Sequence, residues 1–138
     1  MVRIVLILIC LMLVFVSSCG NIYKKPLTEE SRAQIIQEIN TTLNEFFKII
    51  NTEPENENLE KVVSNETLLE EIIKSLAYNP DRLVEEEIEL LNLSINIVKL
   101  ESNLLTADVS GELSNKLSFS KHRFVFRKQD DGWKIDYF

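Results

Sequence analysis

The sequence is poor in the residues on which most catalytic and nucleotide-binding motifs depend. Its 138 residues include two cysteines, three glycines, three prolines and one histidine. A glycine-rich phosphate-binding loop needs closely spaced glycines, so this class of site is excluded. The sequence also shows no internal repeat, which argues against repeat architectures.

The charge balance is acidic, with 22 Asp and Glu against 15 Lys and Arg and a formal net charge of −7. A negative chain is repelled by phosphate backbones and by anionic lipid headgroups. The composition therefore argues against nucleic-acid binding and against membrane binding by the folded domain itself.

The N-terminus has the three parts of an export signal. Arg3 precedes an uncharged apolar segment, residues 4–16, which is shorter than the roughly 20 residues of a membrane-spanning helix. The segment ends in Val16-Ser17-Ser18-Cys19, which resembles the lipobox of bacterial lipoproteins. The resemblance implies cleavage before Cys19 and attachment of diacylglycerol to its sulfur. The alternative is an ordinary secretory signal with an incidental cysteine.

Processing at this site defines three segments: a signal peptide (1–18), a lipidated tether (19–27) and one domain (28–138). Cys10 leaves with the signal and Cys19 carries lipid, so we expect no disulfide, thiolate catalysis or cysteine-bound metal. The lipid on Cys19 makes a membrane the expected partner, in the bacterial cell envelope. The residue after Cys19 is Gly20, whereas an aspartate at this position is linked to retention in the inner membrane of some Gram-negative bacteria. Gly20 therefore slightly favours the outer membrane or surface if the cell is Gram-negative.

The first half of the domain has helical periodicity. Thr28 is a candidate N-cap, followed by an amphipathic pattern of about six turns that reaches Ile50. A third helix, capped by Ser64 or Asn65, should end at Asn79-Pro80. Between these two, a short second helix is predicted around the apolar residues Leu59, Val62 and Val63.

The second half alternates apolar and polar residues, which predicts four strands. The first two cover residues 91–97 and 105–109, and the third covers 117–128. The apolar phase of the third strand shifts between Phe119 and Phe124, which fits either a bulge or a change of exposure. Asp131-Gly132 predicts a two-residue hairpin turn. That turn places Phe126 opposite Tyr137, Lys128 opposite Ile135, and Arg127 opposite Asp136.

Helices followed by consecutive antiparallel strands indicate an α+β domain. The segments T-A-D-V (106–109) and F-V-F-R-K-Q-D-D-G-W-K-I-D-Y-F (124–138) resemble the nuclear transport factor two-like superfamily, also called the cystatin-like fold. The resemblance implies N-terminal helices packed on a curved four-stranded sheet, which forms a cone with an open end for ligands or partners. Because enzymes and adaptors share this scaffold, it does not define an activity.

The candidate residues for chemistry are few. His122 would need an orienting carboxylate, and the sequence places neither Asp108 nor Asp136 beside it, so an exposed strand histidine is expected. The acidic run at 85–89 lacks the glycine of a calcium loop and is interpreted as a solvated face. A basic cluster is interpreted as an outer strand face: Lys121, Arg123, Arg127 and Lys128.

The aromatic residues near the C-terminus are the main candidates for a pocket or partner surface: Phe124, Phe126, Trp133 and Tyr137. No catalytic residue, metal ligand or cofactor is predicted.

The preferred function is a non-catalytic binding or adaptor module for a protein partner or small apolar ligand. One alternative is an isomerase- or cyclase-like enzyme with a carboxylate in the cone, and another is a surface lipoprotein that contacts host molecules. The oligomeric state stays open.

Overall fold

The computed structural model describes residues 26–52, 54–78, 89–114 and 116–138. Cys19, the signal segment, the Asn79-Pro80 boundary and residues 80–88 lie outside these ranges. Three helices precede four strands: α1 (Glu29–Thr52), α2 (Asn56–Leu59), α3 (Glu66–Ala77), β1 (Leu90–Glu101), β2 (Leu104–Leu113), β3 (Ser118–Gln129) and β4 (Gly132–Tyr137). This order confirms the predicted α+β class. Within the described ranges, no helix has both the length and the apolar character that crossing a bilayer requires.

Side-chain caps fix where the two main helices begin. The hydroxyl of Thr28 accepts a hydrogen bond from the backbone N–H of Ser31 at 3.1 Å, so α1 begins at Glu29, directly after the predicted cap. Asn65, rather than Ser64, caps α3, because its side-chain oxygen accepts from the backbone N–H groups of Thr67 and Leu68.

The strands form one curved, open antiparallel sheet in the order β1-β2-β3-β4. Leu105 lies opposite Phe126, which lies opposite Ile135, and all three side chains are fully buried. We call the face that carries these residues the inner face. Helix α1 covers it with four buried apolar residues spaced three or four apart: Ile39, Leu43, Phe46 and Ile49.

Register shifts interrupt all three strand pairings of the sheet. The predicted phase change in the third strand is a bulge: the register shifts between Val109 and Gly111, and Lys121 has a φ of 51°. A second bulge in β1 was not predicted, and Asn92 there has a φ of 49°. Leu91, next to this bulge, is 42% exposed.

The predicted second helix is shorter than expected, and its two valines have another role. Helix α2 ends at Leu59, and Val63 forms a parallel bridge with Ile135 of β4. Ile135 donates its backbone N–H to the carbonyl of Val62 at 2.7 Å, and Ser64 donates to the carbonyl of Ile135 at 2.8 Å. This segment therefore covers part of the β4 edge that would otherwise be free to pair.

The predicted register of the β3–β4 hairpin was wrong by two residues. The turn lies on Asp130 and Asp131, and Gly132 begins β4 with a φ of 130°. Phe126 therefore faces Ile135 rather than Tyr137. Because side chains alternate with a period of two, an error of two changes the partners but keeps each residue on its predicted face.

Candidate functional site

A cleft of about 470 Å³ opens between α1, α3 and the inner face of the sheet. Binding sites for small molecules commonly enclose about 300–1,000 Å³, so its size suits one small ligand. Most of its wall is apolar: Phe46, Phe47, Ile50, Leu68, Ile72, Leu76, Phe119, Phe124 and Phe138. We call this space the aromatic cleft.

Helical spacing and one glycine explain how the sequence builds this wall. On α3, Leu68, Ile72 and Leu76 follow at intervals of four, so they share the face that points at the cleft. On the sheet, Gly111 lies opposite Phe119, and a Cβ at Gly111 would lie 3.1 Å from the ring of Phe119. Because Gly111 has no side chain, the Phe119 ring can pack closely against the backbone of β2.

Phe138 joins the aromatic side chains into one surface. Its ring centroid lies 5.7 Å from that of Phe46 and 5.4 Å from that of Phe124. On the other side of the cleft, Phe47 stacks on Phe119 at 6.2 Å. Rings at these separations pack favourably with one another, so the wall is held in place by its own contacts.

The structure divides the four predicted pocket residues into two pairs. Phe124 and Tyr137 line the aromatic cleft, and the Tyr137 side chain is 63% exposed at its rim. Phe126 and Trp133 lie in the core, 0% and 6% exposed, away from the cleft. Trp133 instead stacks under the ammonium group of Lys128, which lies 5.4 Å from the ring centroid.

His122 is an exposed strand residue, as expected, but it also lies at the rim of the cleft. Its ring packs against Phe124 at 5.3 Å. Neither candidate carboxylate orients it, because Asp108 binds Arg123 at 2.8 Å and Asp136 binds Arg127 at 2.9 Å.

The carboxylates of the described residues do not have the environment that an acid–base catalyst needs. A buried carboxyl group has a raised pKa, yet no charged side chain in the described ranges is buried. The pKa of Asp108 and that of Asp136 are instead lowered, chiefly by hydrogen bonds from Arg123 and Arg127. Within these ranges, no three potential metal ligands meet.

The basic cluster does not converge on a common anion site. Arg123 and Arg127 lie on the outer face of the sheet, each bound to an aspartate. Lys128 binds Glu38 of α1 at 2.7 Å. Three of the four cations are thus paired with carboxylates. The interpretation of an outer strand face fits Arg123 and Arg127 but is wrong for Lys128, whose ammonium group lies over the buried Trp133 ring and binds the helix that covers the inner face.

The pair of Asp136 and Arg127 should make stability depend on pH. Both guanidinium contacts and the Ser64 hydroxyl bind the Asp136 carboxylate, whose side chain is 16% exposed. Its folded pKa lies below the ordinary value, so its contribution is present above about pH 4 and is lost as pH falls through the folded pKa. We expect Asp136→Asn to cost about 1 kcal/mol at pH 7, and we expect this cost to shrink as the pH falls below about 4.

Urea denaturation of both proteins across this pH range measures that difference. Asp108→Asn is the matched control, because the Arg123 partner of Asp108 is 62% exposed and water screens the pair. A cost for Asp136→Asn that stays constant with pH would contradict the assignment.

Sequence reasoning missed the helical half of the cleft. Phe46, Phe47 and Ile50 read as one apolar stripe, and periodicity does not distinguish a stripe that faces the core from one that faces a cavity. Two polar residues of α3, Glu71 and Ser75, also line the cleft and were not singled out. Glu71 follows Leu68 by three residues and Ser75 follows Ile72 by three residues. This helical spacing could have placed both polar residues on the same face as the apolar ones.

No protein-family model matches this chain, and no curated protein matches it either.

Proposed function

We propose that this chain is a lipid-anchored protein of the bacterial cell envelope whose domain binds a small apolar ligand in the aromatic cleft, without catalysis. The family resemblance to the nuclear transport factor two-like superfamily is part of this proposal. The single observation that carries it is a cleft of ligand size with an almost continuous apolar wall. Apolar walls with a few polar groups are typical of small-molecule sites.

The concave shape of the aromatic cleft favours a small ligand over a protein partner. The apolar side chains lie in a concavity between two helices and the sheet rather than on a flat surface patch. Of the hydrophobic side chains that line it, only Tyr137 and Phe138 are exposed, at 63% and 37%. A ligand in the cleft would bury apolar surface on the exposed ring of Phe138, at roughly 25 cal/mol for each Å².

The lipid on Cys19 determines where this binding takes place. Two acyl chains hold a protein stably at a membrane, and the tether of residues 19–27 keeps the domain close to it. An apolar ligand is most concentrated in or near a bilayer. Anchoring therefore places the cleft where the local concentration of the ligand is highest. The residue after the cysteine, Gly20, favours the outer membrane in a Gram-negative cell.

Blocking the cleft should abolish binding without unfolding the domain. Ser75 is an exposed residue of α3 on the cleft wall, so Ser75→Trp fills the space with an indole ring. We expect phenylbutanol, a neutral apolar probe, to bind the full chain in nanodiscs and to bind Ser75→Trp at least about tenfold more weakly. Isothermal titration calorimetry measures both affinities.

Ala77→Trp is the matched control, because Ala77 is an exposed residue of the same helix that does not line the cleft. It should bind phenylbutanol as the wild type does. Wild-type protein that does not bind the probe, or equal losses in both variants, would overturn the proposal.

A further inference from the structure

The ionisable groups that line the aromatic cleft are unevenly distributed. Among the described residues that line it, Glu71 is the only acidic one, and none is a lysine or an arginine. The sequence neighbours of His122 do not lie in the wall either, and Arg123 is held by Asp108 on the outer face. The described part of the wall therefore contributes one carboxylate side chain and no lysine or arginine side chain.

Glu71 stands beside apolar residues on the same helical face. It lies one turn after Leu68, adjacent to Ile72 and four residues before Ser75, and all of these residues line the cleft. Its side chain is exposed, so the carboxylate stays hydrated at the opening rather than buried in the wall. A ligand that fills the apolar space would place its polar end near this carboxylate.

The aromatic rings of the cleft wall also favour a cationic group over an anionic one. The face of a phenyl or phenol ring is the negative part of its quadrupole and attracts cations within about 6 Å. Phe119, Phe138 and Tyr137 contribute aromatic rings to the wall, and Phe138 and Tyr137 are exposed at its rim. An anionic ligand would meet the Glu71 carboxylate and the rings without a compensating positive side chain.

From this charge complementarity we infer that the ligand is an amphipathic cation, with an apolar body in the aromatic cleft and an amine or quaternary ammonium group near Glu71. The inference rests on the proposed ligand-binding function and deepens it by naming the ligand class. It excludes fatty acids and other amphiphiles with an anionic head as preferred ligands. The acidic net charge of the chain, −7, acts in the same direction at longer range.

Three probes with the same body test the inference: phenylbutylamine, phenylbutanol and phenylbutanoate. Each is titrated into the full chain in nanodiscs of zwitterionic lipid at about pH 8, where the amine probe is protonated and the carboxylate probe is ionised. We expect the amine to bind roughly threefold to tenfold more tightly than the alcohol, and the carboxylate to bind more weakly than both. High salt should reduce the advantage of the amine, since salt screens exposed charges.

Glu71→Gln should bring the affinity for the amine down to that for the alcohol, so the ratio of the two affinities in the same variant is the quantity compared. The control is Glu70→Gln, because Glu70 is the exposed neighbour that pairs with Lys74 and does not line the cleft. If the alcohol binds but the amine binds no more tightly, the inference fails while the proposed function stands. If none of the three probes binds, the proposed function fails and the inference fails with it.

Discussion

Phe126→Ala is expected to destabilise the domain by about 3–5 kcal/mol, a large fraction of the 5–15 kcal/mol that holds a typical domain together. Phe126 is fully buried between Leu105 and Ile135 on neighbouring strands, and its ring stacks on Phe124 at 5.9 Å. Truncation removes this contact and leaves a cavity that the surrounding sheet cannot collapse to fill. Urea denaturation, followed by the fluorescence of the single tryptophan, Trp133, measures the loss.

Two further variants make this result interpretable. Val98→Ala, at a side chain that is 48% exposed on β1, should change stability by less than about 1 kcal/mol. Phe126→Leu keeps most of the volume and should cost about 1–2 kcal/mol, so it reports on the site even if the alanine variant does not fold. A loss below about 1 kcal/mol for Phe126→Ala would show that Phe126 does not occupy the centre of the core.

Cys19→Ser is expected to shift the protein almost completely out of the lipid-anchored membrane fraction. Serine has no thiol to accept diacylglycerol, and each buried methylene of the lost chains contributes about 0.8 kcal/mol to membrane binding. The variant should accumulate as unlipidated precursor or be released. Because the lipid lies outside the domain, the thermal unfolding midpoint of the domain should not change. Membrane fractionation and intact-protein mass spectrometry measure the two effects.

Cys10→Ser is the natural control, since Cys10 lies in the proposed signal peptide, residues 1–18. Its mature product should be identical in mass to the wild type and remain with the membrane. A Cys19→Ser protein that is still processed and still partitions with membranes would show that Cys19 is not the point of attachment.

Local signals in the sequence predicted much of the fold. Thr28 caps α1, Asn65 caps α3, and the phase change near Phe119 marks the bulge of β3. Each of these features involves residues close together in the chain, where capping and alternation leave a direct trace. The α+β class followed from the order of these local elements.

Features that depend on distant partners were less accessible. Leu59, Val62 and Val63 fit helical spacing, but pairing with Ile135 draws Val63 into the sheet, and no nearby residue signals this. The hairpin register failed because Asp130-Asp131 forms the turn while Gly132, with its positive φ, starts the strand. For the candidate site, alternation placed Phe124 and Phe126 on one face, but only the position of α3 makes Phe124 a cleft residue and Phe126 a core residue.

The bridge between Val63 and Ile135 also constrains when the domain can acquire its native structure during synthesis. Ser64 bonds to the carbonyl of a residue 71 positions later, so the connection after α2 has no partner until β4 has been made. At ribosomal speeds of about 5–20 residues per second, that wait lasts roughly 4–14 s. The fully buried row of Leu105, Phe126 and Ile135 is incomplete over the same interval. A nascent chain in this condition stays unfolded for seconds after its first residues emerge, which gives an N-terminal export signal time to act before tertiary structure forms.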